Sequence, residues 1–280
     1  MKKVRNLLVL CFVMMVACML HSEDAKAEKV GKYEMSDTSS CSNYDVTGDG
    51  IPDTVNFEKL DRLDGDDSYQ AFKVIINGNP VLYVYNQRFY SLIPVFIQTE
   101  GHQYFYISLT GDNDDGTKTL YEYVDGQLKE RADLDKYVGK LFYHSSATVS
   151  SVKGNSITLK VVGQSNMLSN TKMSFTYKVG PTGTLSLAKK VIKVSYTKLR
   201  LNGRGKSYRS NYLVAKKKIQ AYRSATGTKK AFRIKKGTKL KITKVSVQGK
   251  TPRYYCITKS GKKGWVKSKL DLFKDLPYAG

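Results

Sequence analysis

Residues 254–266, YYCITKSGKKGWV, show a pattern that recurs along most of the chain. Two apolar runs, YYCIT and GWV, are rich in aromatic and β-branched residues, and the turn residues SGKKG separate them. Runs bounded in this way are typical of two β-strands joined in a hairpin. Cys256 lies inside the first run, so we expect it to be a small buried core residue rather than a reactive thiol.

Similar strand-like runs are spread over the rest of the chain. Tyr, Val, Ile, Phe and Thr are abundant in them, and Gly, Asn and Asp punctuate them. The runs are AFKVIING (71–78), VLYVYN (81–86), LIPVFIQT (92–99), QYFYISL (103–109), TLYEYVDGQL (119–128), SITLKVVG (156–163), KMSFTYKVG (172–180) and TKLKITKVSV (238–247). No long stretch has the 3.6-residue apolar stripe of an amphipathic helix. The sequence therefore predicts a mainly β protein, with an antiparallel N-terminal β domain of the sandwich or propeller-blade kind.

The length of the chain and one polar stretch indicate two domains. Residues 200–211, RLNGRGKSYRSN, are basic and contain glycine but no apolar periodicity, which is typical of a linker. The predicted segments are a signal peptide over 1–27, a flexible lead over 28–42, an acidic-to-basic β domain over 43–199, the linker over 200–211, a second domain over 212–274 and a tail over 275–280.

The second predicted domain has a specific order of features. Tyr222-Arg223-Ser224 ends one strand-like run, Lys235-Lys236-Gly237 precedes the next, and SGKKGWV (260–266) follows. This order resembles the bacterial SH3 (SH3b) family of extracellular bacterial proteins. The sequence departs from the family pattern at Tyr254, where a Trp often stands, and at Ala221, where an Asn is common.

The SH3b resemblance implies a small SH3-like β-barrel with a binding role. Modules of this family are typically non-catalytic and attach secreted proteins to peptidoglycan, its peptide crosslinks or other wall components. We predict that Gly261 lets the hairpin turn and that Gly264 lets a backbone approach closely beside Trp265, the only Trp in the chain. The predicted ligand-binding residues are Tyr222, Arg223, Tyr254, Trp265, Lys262 and Lys263.

Charge divides the chain sharply. Residues 28–139 hold 10 Lys and Arg against 20 Asp and Glu, whereas residues 140–280 hold 33 against 2. No acidic residue occurs between Asp135 and Asp271. Ordinary soluble surfaces mix both signs, so a stretch without carboxylates favours an anionic partner. Improved solubility, or attraction between the two halves, is the simpler alternative.

The N-terminus has the features of an export signal. Lys2, Lys3 and Arg5 precede the uncharged apolar run 7–20, and Ala25-Lys26-Ala27 forms an A-x-A cleavage site. A lipoprotein signal around Cys18 is the alternative. The run is shorter than the ~20 apolar residues that span a bilayer, and no later segment is apolar enough to do so. We therefore predict a secreted protein, without a membrane span after cleavage, that associates with the cell wall.

Residues 45–53, DVTGDGIPD, predict a calcium loop. Asp45, Thr47, Asp49, the Ile51 carbonyl and Asp53 occupy alternate positions, from which short loops supply hard oxygen ligands to Ca²⁺. The spacing resembles the first nine positions of an EF-hand loop and the calcium loops of FG-GAP-like extracellular β repeats. A strand-like run follows in place of a helix. The simpler alternative is a polar hairpin connection, and the predicted role of the ion is structural.

No catalytic motif is evident. The sequence lacks the patterns of zinc peptidases, serine hydrolases, redox dithiols and nucleotide-binding loops. Cys41 lies in a polar lead with no histidine nearby in sequence. The sequence therefore predicts a protein that is not an enzyme. We predict that it binds peptidoglycan or an anionic wall polymer, with nucleic acid as a less favoured partner. The alternatives are a peptidoglycan hydrolase with an unrecognised N-terminal catalytic domain and an extracellular binder of polyanions such as nucleic acid or glycan.

Overall fold

The computed structural model describes residues 29–111, 116–134, 138–165, 167–195, 199–203, 206–210, 212–274 and 276. The named elements in this part of the chain are 22 strands, and their ladders are antiparallel. The prediction of a mainly β protein is therefore confirmed. The predicted signal peptide and most of the predicted tail lie outside the described residues. Within them, no helix combines the length and apolar character needed to cross a membrane.

The N-terminal half forms two sheets. One has the strand order β2-β3-β4-β5 and the other has the order β1-β6-β7-β8-β9. Their strands are β1 (Gly31–Glu34), β2 (Cys41–Tyr44), β3 (Asp53–Arg62), β4 (Tyr69–Ile76), β5 (Asn79–Val84), β6 (Ser91–Gln98), β7 (Gln103–Thr110), β8 (Lys118–Val124) and β9 (Gln127–Asp133). Strand β1 and the first two residues of β2 lie within the stretch that the sequence predicts as a flexible lead, and each strand pairs with a neighbour.

The two N-terminal sheets pack face to face. Phe57 of β3 meets Phe105 of β7 with ring centroids 6.4 Å apart, and Phe96 of β6 lies in the same apolar cluster. Phe72 of β4 and Phe89 complete its aromatic centre. Aromatic side chains bury large apolar areas, so this cluster is the main contact that holds the two sheets together.

The five-stranded sheet is buried on both of its faces. Phe96 and Phe105 point into the N-terminal core, whereas Ile97, Tyr104 and Tyr106 belong to a second core shared with the C-terminal half. Alternate residues of a strand point to opposite faces of its sheet. Strands β6 and β7 therefore read as near-continuous apolar runs because each of their faces packs on another layer.

The C-terminal half is built around one long sheet. Its order is β10-β11-β12-β14-β20-β21-β22-β18-β19, with β13 paired to β12 and β17 paired to β20. The strands are β10 (Phe142–Lys153), β11 (Ser156–Ser165), β12 (Ser169–Val179), β13 (Leu185–Leu187), β14 (Val191–Ser195), β15 (Leu199–Gly203), β16 (Lys206–Ser210), β17 (Leu213–Val214), β18 (Ile219–Tyr222), β19 (Lys230–Ile234), β20 (Lys239–Ser246), β21 (Arg253–Thr258) and β22 (Lys263–Lys267). Strands β15 and β16 pair with each other in a separate hairpin that, apart from Leu199, lies within the stretch predicted as a linker.

Strand β14 joins the two predicted domains into one sheet. Its Ile192 lies opposite Val245 of β20, and both side chains belong to the second core. Strand β20 divides its edge between partners, because residues 239–240 pair with β17 and residues 244–246 pair with β14. In the described residues no ladder joins β19 back to β17. The SH3-like barrel therefore stays a prediction.

Candidate functional site

The outer face of the long sheet carries a row of aromatic and lysine side chains. Tyr222 pairs with Trp265, Trp265 with Tyr255, Tyr255 with Lys244, and Lys244 with Lys193. These residues lie on five neighbouring strands, β18, β22, β21, β20 and β14. They alternate along their strands with buried residues, so their side chains share the face turned away from the core.

Several side chains of this face are in contact. The rings of Tyr255 and Trp265 have centroids 5.1 Å apart at an angle of 57°. The Lys244 ammonium lies 5.8 Å from the Tyr255 centroid, and the Lys267 ammonium lies 5.7 Å from that of Tyr222. A cation at this distance is attracted by the negative face of an aromatic ring. Lys244 and Lys267 are therefore held beside the rings.

Arg253 fixes one end of the row. It is a buried residue, its Nη1 donates to the carbonyl oxygens of Ser224 at 3.1 Å and Gly227 at 2.6 Å, and its guanidinium lies 4.6 Å from the Tyr222 ring centroid. A buried guanidinium needs hydrogen-bond acceptors, and the two carbonyls supply them. Arg253 therefore positions Tyr222 and the 224–227 loop.

Further lysines border the row. Lys263 pairs with Ile257, which pairs with Lys241, and Lys267 pairs with Arg253. We call the exposed or half-buried members of this surface the basic face. It consists of Tyr222, Trp265, Tyr255, Lys193, Lys241, Lys244, Lys263 and Lys267. None of its lysines forms an ion pair among the described residues. Because the sequence has no carboxylate between Asp135 and Asp271, the strands of this face bring none to neutralise it.

The predicted ligand residues fall into three groups. Tyr222, Trp265 and Lys263 lie on the basic face. Arg223 and Lys262 are exposed at loops beside it, and the Lys262 N–H donates to Thr258 Oγ1 at 2.9 Å.

Tyr254, the remaining predicted ligand residue, lies in the core instead. Its side chain is fully buried, and its hydroxyl lies 3.3 Å from Ser165 Oγ. Burial raises the pKa of Tyr254 to about 12. Tyr254 shares its strand face with Cys256, which is also fully buried, so Tyr255 takes the outward position. The predicted burial of Cys256 also implies burial of Tyr254, because residues two apart on a strand share a face.

The two glycines of the β21–β22 hairpin have the predicted roles. Gly261 has a φ of +86°, a conformation that L-residues rarely adopt. A Cβ atom on Gly264 would lie 3.0 Å from the Ala221 Cβ atom and 3.1 Å from Phe232 Cε1. Gly264 therefore permits the close approach of β18 that places Tyr222 beside Trp265.

The aspartate loop is organised by amide donors. Asp53, only 1% exposed, accepts hydrogen bonds from the Val46 N–H at 2.6 Å and the Thr47 N–H at 2.7 Å. The Asn77 side-chain amide donates to its other oxygen at 2.5 Å. Asp45 accepts from the N–H groups of Gly48, Asp49 and Gly50. These N–H donors compensate the negative charges of Asp45 and Asp53. A bound cation is therefore not needed to offset repulsion between the two carboxylates.

Calcium binding at this loop stays a prediction. The oxygen-rich donor set suits a hard cation, but the buried oxygens of Asp53 already accept hydrogen bonds. Among the described residues no three His, Cys, Asp or Glu side chains form a group that could hold a metal ion. In this conformation the loop is a hydrogen-bonded turn, and Ca²⁺ would require Asp53 to exchange N–H donors for the ion.

The thiols and the described histidine have structural surroundings. Burial raises the pKa of the Cys256 thiol to about 11, which keeps it protonated and unreactive at neutral pH. The Cys41 sulfur accepts a hydrogen bond from the Ser36 N–H. His102 Nδ1 lies 2.6 Å from Glu122 Oε1, and His102 Nε2 lies 3.2 Å from the Pro181 carbonyl oxygen. The described contacts of His102 therefore fix a turn.

Comparison of the chain with protein-family models, with curated proteins and with solved structures finds no match.

Proposed function

We propose that this protein is a secreted, non-catalytic binding protein of the bacterial cell envelope, and that the basic face attaches it to peptidoglycan or an anionic wall polymer. The observation that carries the proposal is the row of three aromatic rings and two lysines across five paired strands. Its setting is a stretch of sequence without carboxylates. The SH3b resemblance and the predicted signal peptide support the same function.

The chemistry of the face suits a polymer that carries both rings and negative charge. Aromatic faces stack on sugar rings, while ammonium groups attract phosphate or carboxylate groups along the same chain. Strand pairing sets neighbouring side chains roughly 5 Å apart, so the row presents regularly spaced contacts. Four of the five lysines of the basic face are exposed and Lys241 is half-buried, and their contribution to affinity falls as salt screens it.

A second candidate function rests on the same face. Nucleic-acid bases also stack on aromatic side chains, and a lysine-bordered surface attracts their phosphates. A binder of extracellular nucleic acid or acidic glycan would thus use Trp265 and Tyr255 as well. The predicted export favours wall polymers, which are abundant outside the cell.

Retention on purified wall sacculi tests the proposal. The full mature chain, residues 28–280, is sedimented with sacculi that carry or lack their anionic polymers, at low and high salt and with DNA as competitor. Trp265 is the only Trp, so its emission reports directly on the face. We expect retention that weakens with salt and a change in Trp265 emission. A chain that stays in the supernatant, is displaced preferentially by DNA, or solubilises the sacculi would overturn the proposal.

Matched lysine variants separate the basic face from net charge. Lys193→Gln, Lys241→Gln and Lys244→Gln together remove three charges from the face. The control, Lys229→Gln, Lys235→Gln and Lys236→Gln together, removes three exposed charges from other positions in the same half. We expect the face variant to bind about tenfold more weakly than the control, equivalent to ~1.4 kcal/mol. Equal weakening would show that only total charge matters.

A further inference from the structure

A cleft opens between the two N-terminal sheets, far in sequence from the basic face. Its volume is about 620 Å³, and its floor includes the buried Ile107 and Leu109. It lies where strand β5 ends one sheet and strand β9 ends the other. In the described residues neither strand has a partner on its outer edge. Such edges present backbone N–H and C=O groups to which another strand can bind.

Two exposed tyrosines form one wall of the cleft. Tyr83 and Tyr85 are 59% and 53% exposed, and both line it. Their rings stack with centroids 6.4 Å apart and an angle of only 9° between their planes. Most other large aromatic side chains of this half lie in the core, so this pair is an apolar and π-electron surface left open to solvent.

The opposite wall carries negative charge. Glu130 lies opposite Tyr121 in the β8–β9 ladder, and Asp133 lies opposite Thr119. Burial raises the pKa of the Tyr121 hydroxyl, and the charges of Glu130 and Asp133 raise it further. Among the described residues that line the cleft there is no lysine or arginine. Its electrostatic field therefore favours a cation and disfavours the anionic polymers proposed for the basic face.

We propose that this cleft binds an extended peptide segment that carries a lysine or arginine side chain. The outer edges of β5 and β9, which have no partner strand in the described part of the chain, supply main-chain hydrogen bonds to an added strand. The carboxylate of Glu130 attracts the cationic group, and the rings of Tyr83 and Tyr85 hold it by cation–π contact and pack its aliphatic stem. This site is independent of the proposed function, because it uses another part of the chain and a ligand of opposite charge.

Titration with two matched peptides tests the site. The probes are a blocked Val-Lys-Val-Lys-Val peptide and its Gln counterpart, both labelled and added to residues 28–280 for fluorescence anisotropy. The basic face repels the lysine peptide, so binding of this probe reports on an acidic part of the surface. We expect the lysine peptide to bind about tenfold more tightly than the glutamine peptide. N-methylation of alternate amides should abolish binding, because it removes strand donors. Equal affinity of the Lys and Gln peptides would overturn the proposal.

Variants of the cleft locate the binding. Glu130→Gln should weaken the lysine peptide about threefold to tenfold, and the double variant Tyr83→Ala and Tyr85→Ala should do the same. The control is Glu34→Gln, which removes an exposed carboxylate from the edge strand β1. Binding that Glu34→Gln weakens as much as Glu130→Gln reports only general charge and contradicts the site. Displacement of the lysine peptide by a neutral oligosaccharide would also overturn the peptide assignment. Wall retention is measured separately, so either proposal can fail alone.

Discussion

Glu122 contacts both His102 and Arg131 at the boundary between the N-terminal and C-terminal sheets. Its Oε1 lies 2.6 Å from His102 Nδ1, and its Oε2 accepts a hydrogen bond from Arg131 Nε at 2.5 Å. The other ring nitrogen of His102 lies 3.2 Å from the carbonyl oxygen of Pro181, which belongs to the turn after β12. Tyr104 donates to the Gly183 carbonyl in the same turn at 2.9 Å. These contacts join the two halves beside their shared core.

Replacement of Glu122 tests this junction. Glu122→Gln removes the charge that compensates Arg131 and leaves a largely buried guanidinium with a weaker acceptor. We expect the free energy of unfolding to fall by roughly 2 kcal/mol in urea denaturation. Glu58→Gln is the control, because its ion pair with Lys73 is more exposed, and it should cost about 0.5 kcal/mol or less. Equal losses of stability in Glu122→Gln and Glu58→Gln would show that the contacts of Glu122 stabilise the fold no more than a surface ion pair does.

Gly183 tests the packing of the same turn. It has a φ of +74°, and a Cβ atom there would lie 2.7 Å from Glu122 Oε2. Gly183→Ala therefore combines an unfavourable backbone conformation with a steric clash. Gly126→Ala is the matched control, because Gly126 has a φ of +79° and nothing within 4 Å of the added atom. We expect Gly126→Ala to cost about 1 kcal/mol and Gly183→Ala roughly twice as much. Similar thermal and urea stabilities of the two variants would contradict the packing described for the turn.

Asp53 anchors the aspartate loop whether or not an ion is present. One Asp53 oxygen accepts from the Val46 and Thr47 N–H groups and the other from the Asn77 amide, so in Asp53→Asn the new NH2 group faces a donor in either orientation. We expect a loss of about 2–3 kcal/mol in unfolding free energy. Asp49→Asn should have a much smaller effect, since Asp49 is exposed and its side chain accepts a hydrogen bond from the Ile51 N–H at 2.9 Å. An Asp53→Asn variant with the wild-type free energy of unfolding would show that these hydrogen bonds do not stabilise the loop.

Chelation tests the calcium prediction. If the loop binds Ca²⁺, EDTA lowers the melting temperature of the mature chain, and Asp49→Ala removes that sensitivity while leaving the Asp53 anchor in place. Melting that is unchanged by EDTA and by added Ca²⁺ leaves the hydrogen-bonded turn as the whole role of the sequence DVTGDGIPD.

We predict that the protein loses stability at alkaline pH because the acidic groups of Cys256 and Tyr254 are buried. Burial raises the pKa of Cys256 from 9.0 to about 11 and that of Tyr254 from 10.0 to about 12. Each group ionises at lower pH in the unfolded chain than in the folded one. Their stabilising contribution is therefore complete below pH 9 and is lost as the pH rises through 11 and 12, by on the order of 2 kcal/mol for each group.

A tyrosine pair provides the control for this pH dependence. Tyr254→Phe removes the buried hydroxyl and should flatten the alkaline part of the stability curve measured by urea denaturation between pH 8 and pH 11.5. Tyr255→Phe alters a half-buried ring on the basic face and should leave the curve unchanged. A Tyr254→Phe curve that keeps the wild-type slope would argue against burial as the cause.

The local features of the hairpin 254–266 could be predicted because they depend on neighbouring residues. The strand character of both runs, the turn at Gly261 and the burial of Cys256 follow from composition and alternation over a few positions. To predict that Tyr255 points outward, the alternation of side-chain direction along the strand must be counted from the buried Cys256. The prediction placed Tyr254 at the surface because the SH3b resemblance indicated which sequence position to consider but not the direction of its side chain.

Contacts between distant parts of the chain were not accessible in the same way. The pairing of β14 with β20, which joins the two predicted domains, depends on residues about fifty positions apart, and loop closure between them leaves no local pattern. The cleft between β5 and β9 likewise arises only when two sheets pack.

The β class, the turns and the separation of acidic from basic residues could all be predicted, because each depends on residue type and short-range order. Which strands are neighbours depends on the packed fold. That choice brings three aromatic rings and two lysines into one row, and it gives Asp53 its N–H donors. The physical reason is that alternation gives each strand two faces, but packing against other layers decides which of the two meets solvent.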